Sequence, residues 1–554
     1  MDKQNMTLKI IPLGGVGDVT KNMYVYECGD EILVVDCGIG FPTGSMLGVD
    51  FLIPDVTYLR KNANKVKGIV LTHGHEDHIG GLPYILPEFN VPVYGTKLTL
   101  GMADAKLDEI KIPRKMITVE TGREFTIGNN FKLKLIHVTH SVPDAANVFI
   151  KTPVGNVYHG SDYKFDWTPV DGWQTEVNEI SKAGNEGIMC LLSDCLRSEK
   201  KGYTLSEKMI IETFEREIKK CTGKFIVTTQ SSNLSRIKQA IDVSVANGRL
   251  VCLMGRSIEK NIGVAERLGY IKLPRLQMVP IEEVGKLPDK DVTLVVTGSQ
   301  AQEGSALSRL AHKDNKFVKI HPGDRVVFSA DPIPGNEDSV HALIDTLSMM
   351  GAEVSYSDIL DDLHVSGHAA ENELRLMIGL TKPKYIIPIG GTFRHMKKYK
   401  ELAMEMGYQD KQLLLLEDGQ GVDFNSNQKA SFAAKIPAKN IFVDGLGVGD
   451  VGNVVLRDRQ VLAEDGILIV VVTIEQATGE LVVEPDLISR GFVYEKQNIN
   501  LLDNAKNVVK EALADHGRVT DWHFTRRHMQ EVLETYLWEQ THRRPMILPV
   551  IVEV

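Results

Sequence analysis

The run Thr72-His-Gly-His-Glu-Asp-His78 concentrates imidazole and carboxylate groups that can hold a divalent cation. Imidazole nitrogen and carboxylate oxygen are the donors that zinc or manganese accepts in a hydrolytic site. An apolar stretch over residues 68–71 precedes the run, so His73, His75, Asp77 and His78 project from a loop at a strand end. A solvated polar loop is the competing reading, but so many ligand groups together serve no packing purpose. Further ligands must come from later strand ends. The candidates are His140 in Val138-Thr-His-Ser-Val142 and Asp162 in His159-Gly-Ser-Asp162. Either one alone reads as an ordinary loop residue; their order after the histidine loop makes them ligands. Asp36, closing the apolar run 32–35, is either a turn cap or a group that orients a ligand from behind.

These residues need strands to carry them. In the first 200 residues, short β-branched runs (8–13, 24–27, 32–35, 68–71, 91–94, 132–137, 147–151 and 157–159) alternate with glycine-containing turns. Helical patterns are confined chiefly to 81–88 and 96–110. This predicts two sheets with helices packed outside them. From about residue 206, helix and strand alternate regularly (207–220, 224–229, 235–247, 250–254, 258–268, 292–297 and 325–328), as in a separate α/β domain. A histidine-containing loop at 358–368 and a strand at 384–389, followed by Gly390-Gly391, return the chain to the first domain. The polar stretch 425–431 precedes a last segment with strands at 467–472 and 480–483 and helices at 500–515 and 521–541. Its terminal apolar run, 546–554, must pair with its own domain or with a second subunit to avoid an open edge. The expected domains are 1–205 with 366–435, an insertion at 206–365, a linker at 436–449 and a C-terminal domain at 450–554.

Composition narrows the function. The 554 residues are 43% hydrophobic and 25% charged, close to the average for a soluble globular protein, and no apolar stretch is long enough to span a bilayer. The first residues lack the pattern of a secretory signal, and six scattered cysteines without a CxxC pair read as buried free thiols, so a cytoplasmic place is expected. A net charge of −10 argues against nonspecific coating of nucleic acid but leaves room for a local basic channel. Aromatic residues are only 6% of the chain and do not cluster with Lys and Arg along the sequence. A narrow channel between the first two domains is therefore the expected binding surface.

The motifs together resemble the ribonuclease J family of metallo-β-lactamase-fold, β-CASP nucleases. Besides the histidine loop they include Leu13-Gly-Gly-Val-Gly17, Leu47-Gly-Val-Asp50, Ile53-Pro-Asp55, Gly255-Arg-Ser257, Thr297-Gly-Ser-Gln300 and Ile333-Pro-Gly335. His364-Val-Ser-Gly-His368, Asp444-Gly-Leu-Gly-Val-Gly-Asp450, Leu456-Arg-Asp-Arg459, Ser489-Arg-Gly-Phe-Val493 and Arg543-Arg-Pro-Met-Ile547 extend the match over nearly the whole length. The resemblance implies an αββα metallo-β-lactamase sandwich, an inserted β-CASP α/β domain and a small α+β C-terminal domain that supports oligomerisation. It implies two divalent ions, zinc or manganese: His73, His75 and His140 on one, Asp77 and His78 on the other, with Asp162 bridging. By the same resemblance His368 protonates the leaving group, Asp77 and Asp162 take part in catalysis, and His364 and Ser366 receive a 5′-phosphate. Ser232, Asn233, Arg236, Arg256 and Ser299 are further RNA contacts. The implied substrate is single-stranded RNA, cut from a 5′-monophosphate end and also internally, in RNA maturation and decay. The implied assembly is a homodimer, a homotetramer or a complex with a paralogous subunit.

One departure stands out. The family reads Pro-Ile-His-Gly where this chain has Pro388-Ile-Gly-Gly391, so Gly390 offers no ligand to the second ion. The nearest downstream histidine, His395, opens an apparent helix. The alternative function is thus a weakly active or inactive structural subunit of an RNA-degradation complex, and a DNA-processing nuclease or other metallohydrolase on the same scaffold ranks lower.

Overall fold

The computed structural model describes residues 6–333, 336–360, 362–476, 480–493, 499–514 and 522–554. Pro334 and Gly335 of one quoted motif, and the predicted helix ends at 515 and 521, lie outside the described residues. The chain forms two compact units, residues 1–41 with 51–441, and residues 42–50 with 442–554.

In the first unit, an eight-stranded sheet runs in the order Ala430–Phe432, Val422–Phe424, Leu8–Gly14, Met23–Cys28, Glu31–Val35, Val66–Val70, Val93–Gly95, Met116–Thr118. A six-stranded sheet runs Tyr385–Ile389, Cys190–Asp194, Asn156–Gly160, Ala146–Lys151, Phe131–His137, Glu124–Ile127. Alternation along the strands explains the layers. Ile10, Tyr24, Tyr26 and Leu33 share one core with Leu133, Leu135, Val148 and Ile150 of the second sheet. Their neighbours Ile11, Val25, Ile32 and Val34 turn the other way, onto Leu98, Met102 and Leu107 of the helix Lys97–Glu109. Helices Glu371–Thr381 and Phe393–Glu405 contribute Leu374, Met377, Met396 and Tyr399 to the first core. The result is the αββα sandwich that the sequence predicts.

Cys190–Asp194 and Tyr385–Ile389 are neighbours in parallel register, although nearly 200 residues separate them. The intervening chain builds its own five-stranded parallel sheet, in the order Leu250–Met254, Val292–Val296, Phe225–Thr228, Arg325–Phe328, Glu353–Ser355. Phe225–Thr228 and Val292–Val296 are buried throughout, as strands covered by helices on both faces must be. The insertion docks back near the histidine loop. Lys97 donates through Nζ to the Leu268 carbonyl at 3.0 Å, and the Tyr270 hydroxyl donates to Asp144 Oδ2 at 2.8 Å.

The second unit carries a three-stranded sheet ordered Asp486–Arg490, Ile467–Ile474, Met546–Glu553. The terminal strand pairs in parallel with Ile467–Ile474 of its own unit along its whole length. Leu468, Val470, Val472 and Ile474 face the helices Ile499–Ala514 and Trp522–Thr541, meeting Ala505, Val509, Met529, Leu533 and Leu537. The strand expected at 480–483 is not formed. Leu481 makes only an isolated bridge to Ile474, Pro485 interrupts the run, and the strand lies instead at Asp486–Arg490. No helix among the described residues is long and apolar enough to cross a membrane.

Candidate metal centre

The strand Val66–Val70 delivers Thr72 and His73 to the sheet's end, and a four-residue helix, Glu76–Ile79, turns Asp77 and His78 back over the strand Glu31–Val35. This fold-back is tight. The Cys37 amide donates to the His78 carbonyl at 2.7 Å, and a Cβ at Gly38 would lie 1.6 Å from the Asp77 carbonyl oxygen, so only glycine fits there. His140 follows the strand Phe131–His137, and Asp162 follows Asn156–Gly160.

Ligand atoms of His73, His75, His140 and Asp162 lie within 4.8 Å of one another, and so do those of Asp77, His78 and Asp162. Asp162 Oδ2 is 3.7 Å from His73 Nε2, 3.7 Å from His140 Nε2 and 3.4 Å from His78 Nε2. The outward-facing nitrogens are all engaged. His140 Nδ1 meets the Gly367 carbonyl at 2.8 Å, His73 Nδ1 meets Thr72 Oγ1 at 3.0 Å and His75 Nε2 meets Ser141 Oγ at 3.2 Å. A carbonyl only accepts, so His140 carries its proton on Nδ1 and presents the Nε2 lone pair to the cluster. Asp36 does the same for His78, accepting at 2.7 Å from Nδ1, and is itself held by the Thr72 amide and hydroxyl, each at 2.8 Å. This settles the role that the sequence left open for Asp36: it stands behind a candidate ligand.

The charge states agree with this geometry. Burial pushes His73 and His140 well below the usual histidine range, and His75 down to about 4, which leaves neutral imidazoles. For His78, burial opposes charge, but Asp162, Asp77 and Asp36 outweigh it and raise the pKa well above the ordinary value. The same negative field favours a bound cation. Three neutral rings oriented from behind, with His78 in the negative field of the shared carboxylates beside them, fit a divalent metal ion.

His368 sits at the rim. Its Nδ1 is 2.8 Å from Asp194 Oδ2, and its Nε2 is 4.0 Å from Asp162 Oδ2. Burial again opposes the charge, but Asp194 and Asp162 outweigh it and hold the ring at about 9, protonated at neutral pH. Asp194 is absent from the sequence-based set. It closes the strand Cys190–Asp194 much as Asp162 follows its own strand, and that placement was the available signal.

The second group is thinner. Gly390 has φ of +65°, and a Cβ there would point at Asp162 Oδ1 from 3.7 Å and at Asp194 Oδ1 from 3.6 Å. A ligating side chain would start from this position. His395 does not replace it: its Nδ1 accepts from Thr392 at the start of the helix Phe393–Glu405, and its Nε2 faces Glu199 at 3.5 Å. The amide of Asn22 approaches instead, with Nδ2 at 3.1 Å from His78 Nε2 and 3.5 Å from Asp77 Oδ2.

The other sequence-predicted contacts scatter. Ser366 is on the His368 loop, its hydroxyl accepting from the His368 amide at 3.2 Å. His364 is half-buried, desolvation pushes its pKa to about 4, and it faces Asp331 at 3.9 Å. Ser232 is half-buried, Ser299 is buried and Arg256 is exposed. Asn233 caps the helix Leu234–Ala246, accepting from the Arg236 amide at 3.0 Å. Arg236 is fully buried and unavailable to a phosphate: its guanidinium pairs with Glu207 at 2.5 Å and donates to Ser329 Oγ at 2.7 Å. Breaking such a buried pair costs about 3–5 kcal/mol, so Arg236 holds the insertion together from within.

Comparison with known proteins agrees with the architecture. Residues 16–165 match the metallo-beta-lactamase superfamily, 222–347 the ribonuclease J beta-CASP domain, 357–412 the Zn-dependent metallo-hydrolase RNA specificity domain and 454–554 the ribonuclease J C-terminal domain. The chain is 39% identical to ribonuclease J2 of Bacillus subtilis over 100% of both chains, and 36% identical to ribonuclease J 1 of Streptococcus pyogenes over 99% of both. A solved structure of a protein of unknown function from Enterococcus faecalis shares the fold, with a TM-score of 0.54 and 15% identity over 75% of this chain and 100% of that one. With full-length identity at this level and family domains matched from one end to the other, the chain belongs to the ribonuclease J family.

Proposed function

We propose that this protein is a metal-dependent ribonuclease that hydrolyses phosphodiester bonds of single-stranded RNA. It works from 5′-monophosphate ends, with internal cuts as a second mode, in RNA maturation and decay. The observation that carries the reading is the convergence of His73, His75, His140 and Asp162, with His368 held at their rim by Asp194, in a chain of this family. Those four residues would hold one divalent ion, zinc or manganese, and Asp77, His78 and Asp162 a second. Such a metal, when bound, supplies Lewis acidity toward phosphate oxygens and lowers the pKa of water. The chain's own residues do the rest. His368 holds a proton on Nε2 for the leaving 3′ oxygen, and Asp194 fixes the ring through Nδ1. Ser366, on the same loop, would meet a terminal phosphate, with Arg256, Ser232 and Ser299 on the inserted domain as further contacts.

The domains in this reading are metallo-β-lactamase over 1–205 and 366–435, β-CASP over 206–365, a linker at 436–449 and an oligomerisation domain over 450–554. The half-exposed Ile488, Leu548, Val550 and Val552 of the C-terminal sheet support a homodimer or homotetramer, or pairing with a paralogous subunit. Six free thiols support a cytoplasmic setting.

A second reading rests on Gly390 and Asn22: a poorly active subunit of an RNA-degradation complex, in which the second ion is weakly held. A time course on 5′-monophosphorylated single-stranded RNA with manganese, magnesium or zinc separates the two. The ribonuclease reading requires cleavage by the native chain and its loss in His75→Ala. No cleavage under any metal would leave the subunit reading standing.

A further inference from the structure

Aromatic and basic residues that are dispersed in the sequence meet on one surface of the first unit. Two segments, 164–174 and 200–209, lie against each other. Ser206 Oγ donates to the Thr168 carbonyl at 2.9 Å, the Glu207 amide donates to Asp166 Oδ2 at 2.9 Å, and Lys164 Nζ donates to the Leu205 carbonyl at 3.1 Å. On the outside of this junction, Trp167 is 54% exposed, Tyr203 60%, Leu205 56% and Trp173 39%, with Lys200, Lys201 and Lys208 exposed around them. Large aromatics left in water at this density are uncommon unless something covers them.

Three observations tie the patch to the reacting centre. Thr204, between Tyr203 and Leu205, turns inward and donates through Oγ1 to the His368 carbonyl at 2.7 Å. Trp173 stacks on His137, with ring centroids 4.0 Å apart, and both line a shallow cleft whose wall includes the candidate ligand His140. His137 is 2% exposed, and its Nδ1 has no hydrogen-bond partner there, a polar atom left for whatever enters. Of the carboxylates lining the cleft, Asp166 and Glu207 are offset by Lys164 and Arg236, and Asp171 accepts from the Trp173 amide at 3.0 Å, whereas the exposed lysines lie outside it.

We propose that this surface is a platform for single-stranded RNA. Bases stack on Trp167, Tyr203 and the exposed part of Trp173, the three lysines meet the phosphates, and the strand passes from there to His368. Stacking platforms flanked by positive charge are how proteins hold single strands without reading sequence. The inference rests on the ribonuclease reading above.

The test uses the full-length chain and 5′-monophosphorylated RNA of about 4 and about 20 nucleotides, lengths that bracket typical single-strand sites. Binding is followed by fluorescence anisotropy in chelator, and cleavage with metal restored. Trp167→Ala with Tyr203→Ala should weaken binding of the long strand by on the order of 10-fold or more per aromatic, and leave hydrolysis of the short one unchanged. Trp167→Phe with Tyr203→Phe should restore most of the loss, and the unchanged hydrolysis of the short strand by the alanine variant excludes a folding defect. Native-like affinity of the alanine variant for the long strand overturns the platform. So does a change in its sedimentation with RNA affinity intact, which would make the patch a contact between subunits. If the native chain neither binds nor cleaves either RNA, the ribonuclease reading fails first and the platform falls with it.

Discussion

The two halves of the metal centre share Asp162 but differ in how complete they are. On one side, His73, His75 and His140 converge with their far nitrogens held by Thr72, Ser141 and Gly367. On the other, His78 is held as firmly by Asp36, yet its companions are only Asp77 and Asp162, position 390 has no side chain, and the Asn22 amide approaches the ring. The comparison separates two things that usually travel together: the orientation of ligands from behind, and the number of ligands. Orientation is intact in both halves, and only the donor count falls short in the second. An ion there must fill its coordination from water or substrate, which weakens binding while leaving the first half able to work.

The largest expected effect follows from removing a ligand of the complete half. An ion that binds only the folded chain stabilises it by about 2.7 kcal/mol when free metal is at about 100 times its Kd. His140→Ala should abolish most of this metal-dependent stabilisation and lower cleavage beyond the roughly 10–100-fold typical of a supporting residue. Asp77→Ala should keep most of the stabilisation. Thermal melts with and without chelator read the difference, and equal losses in the two variants would show that the halves are equivalent.

A smaller effect, in the range of about 10–100-fold on activity, is expected from Asp36→Asn. Asp36 accepts from the Thr72 amide and hydroxyl and from His78 Nδ1, and every one of these contacts uses carboxylate oxygen as acceptor. An asparagine has one oxygen and must turn its NH2 toward a donor, which drives His78 toward the wrong tautomer. Unchanged activity together with unchanged metal content would mean that His78 contributes nothing as a ligand.

Much of this arrangement is written locally, and some is not. The histidine loop is a contiguous run, and two sheets with helices outside them follow from the short β-branched runs, so both could be read directly. His140 and Asp162 needed their order after the loop, and His368 needed the family resemblance. Asp194 sits at a strand end like the others but has no neighbouring histidine in sequence to draw attention to it. Arg236 misleads for a different reason. Its helix buries Arg236, Gln239 and Ser244 along with Leu234, Ile237 and Ile241, so no polar face marks which side meets water. The grouping of residues 42–50 with the C-terminal unit was equally hidden, because Pro42-Thr-Gly-Ser45 has the composition of any surface turn. Likewise, the junction of 164–174 with 200–209 is a tertiary fact that no local pattern records.

The smallest effect is the one that bears most directly on the missing ligand. In Gly390→His the new Cβ would stand 3.6 Å and 3.7 Å from the Asp194 and Asp162 oxygens, ordinary contact distances, and the side chain would leave the backbone toward the second group. The backbone there is pinned, with the Gly390 amide donating to the Gly15 carbonyl at 2.8 Å, so φ stays near +65°. A non-glycine residue held in that region costs about 1–2 kcal/mol. Without metal, Gly390→His and Gly390→Ala should therefore both lose about this much stability. With metal they should part. The histidine variant should hold more metal per chain than native and cleave up to about 10-fold faster, since about 1.4 kcal/mol of added transition-state stabilisation is worth that factor. The alanine variant, which has the strain without the ligand, should gain neither. If the histidine variant holds no more metal than native, a missing donor is not what limits the second half. The limit would then lie with the Asn22 amide against His78, and Asn22→Ala would be expected to raise the metal content instead.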